Sequence, residues 1–343
     1  MPKQRRPARV PTPPWESTFR GGRETPGRLL ATVVVVALLT VGAGLAVFAV
    51  VRGLWEERNR PNSAALKVGD TTYSLRYFAQ RLRMHLSEVG GTASGSAATA
   101  AFQDVAQRIV QEDLLHRFAA ELGLALDPQE VEDALRQRVG AQPPAEGEED
   151  PFPRRYQQEL TRTGLSDEQY RRMVEGDLLL DKALKHFQAQ APAQAEAVRY
   201  RQIIVRSPVE ADQIIARVQG GEDFAAIATA SSLDTLTAAR GGEVGWMPRG
   251  ALPAGAEQVL FALGPGQLGK YQDPQSGFVY VYQVLEKDSQ RNLDDAQKLV
   301  LARRALDDWL AQKRLQADVR NYVDPVSGDS RKLRWVLQEV YGG

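Results

Sequence analysis

The chain has 343 residues, enough for two or three folded units. Its 43 Lys and Arg residues balance 43 Asp and Glu residues, so net charge favours no polyanionic partner. Cysteine is absent, which excludes disulfides, thiolate nucleophiles and Cys-based zinc sites, and the three histidines (His85, His116, His186) lie far apart in helical-looking stretches that suit packing or surface roles rather than a metal site.

Residues 1–28 are basic and turn-rich, with seven Lys and Arg residues against Glu16 and Glu24. Residues 29–51 then run for 23 positions without a charge. As a helix they would reach roughly 35 Å at about 1.5 Å per residue, enough for a hydrocarbon core of about 30 Å. A cleaved signal peptide has a shorter apolar region and a small-x-small site, and no Ala-x-Ala follows here. The reading is an uncleaved membrane-spanning helix that makes the lipid bilayer a partner. Seven cationic residues before it, with only Arg52 and Arg58 closely after, put the N-terminus in the cytoplasm and everything from about Glu56 onward outside. A topology signal accounts for the basic tail, and no nucleic-acid partner is expected.

Beyond the span, Ala65-Leu66-Lys67-Val68, a Gly69-Asp70 turn and Thr71-Thr72-Tyr73 read as a small hairpin. Ser74 caps a helix with Leu75, Phe78, Leu82, Leu86 and Val89 at helical spacing. Residues 90–98 read as a flexible Gly/Ser/Ala/Thr linker. A second helix carries Phe102, Val105, Ile109 and Leu115, and a third opens at Asp127-Pro128-Gln129-Glu130 with a cap, a proline and a glutamate. Residues 142–153 are a Pro/Glu-rich solvated loop, and Ser166-Asp167-Glu168-Gln169 opens a longer helix through Tyr170, Met173 and Leu178.

Residues 198–205 form a strand-like run, followed by a cap at Ser207, proline at Pro208 and Glu210, with Ile214, Ile215 and Val218 inside the helix. Next come a short helix around Phe224 and Ile227, Ser232-Leu233-Asp234, Gly241-Gly242-Glu243-Val244-Gly245-Trp246, a helical run ending at Phe261-Ala262-Leu263, and a closing strand over 278–285. Asn292-Leu293-Asp294-Asp295 starts a last helix, expected to run to about Tyr322 before Asp324-Pro325. Residues 323–343 have no assignment.

The β, α, α, α, β order and its motifs resemble the parvulin-type peptidyl-prolyl isomerases: Gln202-Ile203-Ile204-Val205, Gly221-Glu222-Asp223-Phe224-Ala225, the Ser-x-Asp at 232–234, Gly-Gly-Glu-Val-Gly-Trp, Phe-Ala-Leu with Gly-Pro-Gly, and Gln-Val-Leu-Glu-Lys. Gly-Leu-Ser-Asp-Glu-Gln-Tyr before this stretch is similar to the N-terminal region of SurA-, PrsA- and PpiD-type chaperones. The fold class expected is α+β: an N-terminal transmembrane helix, an α-helical SurA-like chaperone module, and an inserted parvulin-like domain with a small antiparallel sheet and surrounding helices. The segments are a cytoplasmic tail (1–28), the span (29–51), the first part of the helical module (62–190), the parvulin-like domain (198–288) and a helix completing the module (292–322).

The resemblance implies catalysis without cofactor or metal, by a polar network beneath an apolar proline pocket. The network residues carried over are Asp234, Gln202 in place of the first strand histidine, and Tyr280 or Val279 in place of the second. The pocket positions fall on Val244, Met247, Leu252, Ala256 (where the family has Phe) and Phe261. Asp234 reads equally as a turn former, and Gln202 and Tyr280 as inward strand residues satisfying one another. Two functions remain open: isomerisation of X-Pro bonds in unfolded exported polypeptides, and a non-catalytic holdase that uses the cleft as a binding surface. A tethered scaffold near the secretion channel is a third reading.

Overall fold

The computed structural model describes residues 26–90, 96–145 and 147–341; several side chains of the first helix, and that of residue 96, fall outside the description. Most of the expected basic tail therefore lies outside the described residues. The chain divides into two units, Met1–Pro61 and Asn62–Gly343. In the first, residues 29–51 belong to one continuous helix, α1 (Pro26–Asn59), along which Val34, Leu38, Leu45, Phe48 and Val50 are exposed. Among the described residues no helix is long and apolar enough to cross a membrane.

The second unit opens with β1 (Ala64–Val68) and β2 (Thr71–Ser74), an antiparallel hairpin whose turn has Gly69 at φ 56°. A left-handed first turn residue is what a tight hairpin needs, and glycine adopts it without steric cost. Ser74 Oγ accepts from the Tyr77 amide at 3.2 Å and starts α2 (Leu75–Val89). The linker expected over 90–98 is shorter, because Ser96, Ala97 and Ala98 already belong to α3 (Ser96–Phe118). Ala97-Ala98-Thr99-Ala100-Ala101 has the helix propensity to extend it. Reciprocal capping boxes start α4 (Pro128–Arg138) at Asp127 and α6 (Asp167–Gln190) at Ser166. Between them lies a helix that the loop reading missed, α5 (Phe152–Thr163), which buries Phe152, Tyr156 and Thr163.

The chain then forms β3 (Gln194–Val205), α7 (Pro208–Gln219), α8 (Phe224–Ser231), α9 (Thr235–Ala238), β4 (Glu243–Pro248), α10 (Ala254–Ala262), β5 (Leu268–Gln272) and β6 (Val279–Asn292). Its strands make a four-stranded antiparallel sheet in the order β4-β3-β6-β5. The pairing Gln194↔Asn292 carries the sheet past both expected bounds, 198 and 288. On β3, Ile203 and Val205 face a core shared with Ile214 of α7 and Phe224 and Ile227 of α8. The alternate residues Val198 and Tyr200 face a second core shared with Ala256, Leu260 and Phe261 of α10.

The last helix, α11 (Asp295–Gln316), ends six residues before the expected position 322. Asp318 turns the chain at φ 47° into β7 (Val319–Asn321), which pairs with β1 through Leu66↔Asn321 and gives the order β2-β1-β7. This long-range pairing, not Pro325, stops the helix. Residues 323–343 contain α12 (Ser330–Tyr341), whose Val336 is fully buried in the same core as Leu66, Phe78, Leu82 and Ile109. Leu306 of α11 joins Leu115 of α3 with Leu179 and Ala183 of α6 in an adjoining cluster. The segments before and after the four-stranded sheet thus share their cores. Inside lies a charged pair, Arg81 and Glu112, hydrogen-bonded at 2.5 and 2.7 Å, with Arg81 also donating to the Tyr77 hydroxyl at 2.8 Å.

Candidate functional site

Gln202 sits toward the C-terminal end of β3, where its backbone amide donates to the Gly242 carbonyl at 2.8 Å. Gly242 has φ 81°, and a β-carbon there would stand 2.5 Å from the Gln202 carbonyl oxygen. Both the dihedral and the close backbone approach require glycine. Gly242→Ala is expected to lower stability by about 1–3 kcal/mol, the usual range for a strained backbone position. It should also shift the Gln202 side-chain amide resonance, since the strand must retreat; an unchanged Tm and spectrum would refute this.

The Gln202 side chain reaches the loop before α9. Its Nε2 donates to Asp234 Oδ2 at 2.7 Å, and Thr237 Oγ1 donates to the same oxygen at 2.5 Å. The other oxygen accepts the amides of Leu236 at 3.2 Å and Thr237 at 3.4 Å. Ser232 ties this loop to the sheet: its Oγ accepts from the amides of Ile204 at 3.1 Å and Asp234 at 3.2 Å. Asp234 is therefore both a turn former and a partner of Gln202. Burial alone would raise its pKa most of any single cause, but the donors Thr237, Gln202 and Leu236 together hold the carboxyl below its ordinary value. Thr237, which sequence reading missed, is legible in retrospect as the third residue after an Asp cap.

Tyr280 does not satisfy Gln202. It pairs across the strands with Ile204, while Tyr282 stands opposite Gln202. With a side-chain period of two, Tyr280 and Tyr282 share the Gln202 face, and Val279, 1% exposed, packs with Ile203 and Val205 on the other. The two positions left open by the sequence are thus separated by face. Ring centroids step from Tyr200 to Tyr282 (5.6 Å), to Tyr280 (6.1 Å) and to Tyr271 of β5 (6.2 Å), a row that sequence reading missed because it joins three strands. Burial raises the pKa of both Tyr200 and Tyr280, helped by the Asp234 carboxylate at Tyr200 and by Asp273 ahead of Tyr271 and Asp234 at Tyr280, so both phenols are neutral at physiological pH.

The expected pocket positions divide. Val244, Met247 and Leu252 are half-buried against the core that contains Tyr200, Ala256 and Tyr282. Phe261 is buried at 5% exposure under the Arg249 guanidinium, 4.2 Å from its ring centre, and is core rather than open wall. Ala256, at 3% exposure, contributes a methyl group and no ring. Among the described residues, no group of three or more His, Asp or Glu side chains is placed to hold a metal ion. The arrangement is a charged acceptor and an oriented amide at the edge of an apolar, tyrosine-lined sheet face. It can grip an apolar ring and offer hydrogen bonds to a polar group beside it.

Comparisons with known proteins match two stretches of the chain. A family model described as a SurA-like N-terminal domain matches residues 28–184, and one described as a PPIC-type PPIASE domain matches residues 206–282. The foldase protein PrsA of Caldanaerobacter subterraneus subsp. tengcongensis is 35% identical over 98 residues, which span 29% of this chain and 32% of that one. The chaperone SurA of Thiobacillus denitrificans is 27% identical over 217 residues, or 55% of this chain and 47% of that one. The chain spans less than half the length of each. Among solved structures, PrsA of Bacillus anthracis is 19% identical, with a TM-score of 0.39 over 68% of this chain and 95% of that one. The parvulin domain of PpiD from E. coli is 27% identical, with a TM-score of 0.25 over 28% and 92%.

Proposed function

We propose, for a chain that carries a SurA-like N-terminal domain and a PPIC-type rotamase domain and is homologous to the PrsA and SurA foldases, that it is a membrane-anchored foldase acting outside the cytoplasm. Its reaction is cis-trans isomerisation of X-Pro bonds in exported polypeptides that are not yet folded. The observation that carries this reading is the Gln202-Asp234-Thr237 network beside the tyrosine-lined face.

Rotation about an X-Pro bond faces a barrier of about 18–20 kcal/mol. The twisted amide loses C–N double-bond character, so its prolyl nitrogen becomes a better hydrogen-bond acceptor. A site lowers the barrier by holding the proline ring away from water and bonding that twisted form better than the planar one. Asp234, ionised at neutral pH, fixes one N–H of Gln202 and leaves the second N–H to donate. Tyr280 supplies a further neutral donor on the same face. No nucleophile is required.

The anchor is α1. Residues 29–51 contain no charge, lie within one helix and are preceded by seven cationic residues, which supports a single pass with the N-terminus inside. The clients are unfolded segments rich in apolar residues.

A second reading has its own support: neither strand position carries histidine, and Ala256 stands where the family has an aromatic ring. On that reading the cleft holds clients without catalysis. The deciding measurement is the cis-trans exchange rate of a proline peptide by NMR with the full chain in detergent, beside aggregation of a denatured client. Faster exchange is the expected result; suppressed aggregation with unchanged exchange would replace the enzyme by the holdase.

A further inference from the structure

We infer that Tyr271 supplies the aromatic wall of the proline pocket, taking the place left by the small side chain of Ala256; this rests on the reading of the cleft as a proline site. The helix α10 brings no ring to its first turn, where Ala256 is buried as a methyl group. The residue before it, Gly255, has no side chain at all. A β-carbon at Gly255 would stand 2.8 Å from Tyr271 Cε2 and 3.5 Å from its Cζ and hydroxyl oxygen. The ring of Tyr271 therefore lies over the first turn of α10, in contact with the backbone that carries Ala256.

A second glycine enforces the approach. On β5, a β-carbon at Gly269 would be 2.8 Å from Leu263 Cδ1 and 3.1 Å from Val259 Cγ1. One glycine on each element lets β5 lie close against α10, and Tyr271, two residues along the strand, shares the sheet face of Gly269. Tyr271 is half-buried and packs with Ala256, Leu260 and Tyr282 in one cluster. Its ring centroid is 6.2 Å from that of Tyr280, at 40°. The wall is thus built from a strand, and it joins the tyrosine row to the helix.

Chemistry selects the ligand. The face of an aromatic ring is electron-rich, and the ring hydrogens of proline next to an amide nitrogen carry partial positive charge. An X-Pro segment with its ring against Tyr271 places the prolyl nitrogen toward the polar groups of β3 and β6. The hydroxyl is incidental to this packing.

The test titrates the full chain with a short proline peptide and its alanine analogue, following binding by NMR. Tyr271→Leu is expected to weaken the proline peptide about five- to tenfold, the range of aromatic contacts, and to leave the weak alanine analogue unchanged. Tyr271→Phe should bind as wild type does. The double variant Tyr271→Ala with Ala256→Phe should recover affinity, because it returns a ring to the vacated space from the helix side. Undiminished proline binding in a folded Tyr271→Leu overturns the inference and leaves the proline reading intact. A wild type that prefers proline no more than alanine overturns both. Should Tyr271→Leu fail to fold, Gly255→Ala, which forces the ring away, should show the same selective loss; wild-type binding there overturns the inference.

Discussion

Replacing Glu112 with Ala is expected to lower the unfolding free energy by about 3–5 kcal/mol, because it strands a buried guanidinium. Arg81 is 7% exposed and Glu112 9%. Burial opposes the charge on Arg81 more than any other single cause, but the field and hydrogen bonds of Glu112, helped by Tyr77, outweigh it and raise the Arg81 pKa. Without Glu112 the Tyr77 hydroxyl alone faces that charge. The loss has a steric part as well: a β-carbon at Gly176 would stand 2.7 Å from Glu112 Cγ, so the glutamate stem fills the contact between α3 and α6. Denaturant titration should read the loss, with a fall in Tm on the order of 10 °C. Replacing both partners, Arg81→Met with Glu112→Leu, should stay close to wild type, since no charge is left unpaired. A loss under about 1 kcal/mol in Glu112→Ala would mean that water reaches Arg81, contrary to its burial.

That pair was not legible in the sequence, and the reason separates what could be read from what could not. The caps at Ser74, Asp127, Ser166, Ser207 and Asp294 are local: each is decided by a side chain and an amide three residues away or fewer, and each starts a helix as expected. The end of α11 is decided by β1, some 250 residues earlier in the chain, so a proline at 325 was the wrong stop signal. Helix α5 was hidden by Pro151 and Pro153, read as loop residues, although proline at the first turn of a helix is well tolerated. In the candidate site, Gln202 and Asp234 are placed together by the resemblance to the parvulins, not by spacing alone. Thr237 was readable as the third residue after an Asp cap; Tyr271 and the tyrosine row could not be read, because their proximity is made by sheet order and by the glycines between β5 and α10. Phe261 has the residue type of a pocket wall, but Arg249 covers it.

Asp234→Ala is expected to cut isomerase activity by about 10- to 100-fold, the rate equivalent of losing hydrogen bonds to a charged group worth about 1.5–3 kcal/mol. Both carboxylate oxygens are engaged within the protein, orienting Gln202 and fixing the loop through Leu236 and Thr237. Alanine frees the Gln202 amide to rotate, so the fall should appear in kcat more than in KM, and any suppression of client aggregation should not change. Asp234→Asn is the sharper probe. It keeps the size of the side chain and one acceptor but removes the charge, and it should recover part of the rate if orientation is the role. The pH profile separates this from general acid-base chemistry. Because the folded pKa of Asp234 lies below its unfolded value of about 3.9, the stability it contributes is present above that value and is lost only as pH falls through the folded pKa. Activity should therefore be level on the acid side down to about pH 4, with no titration near 6.5 such as a catalytic histidine would give. Equal exchange rates for wild type and Asp234→Ala would remove the network from the mechanism and leave the tyrosine-lined face as a surface for holding clients.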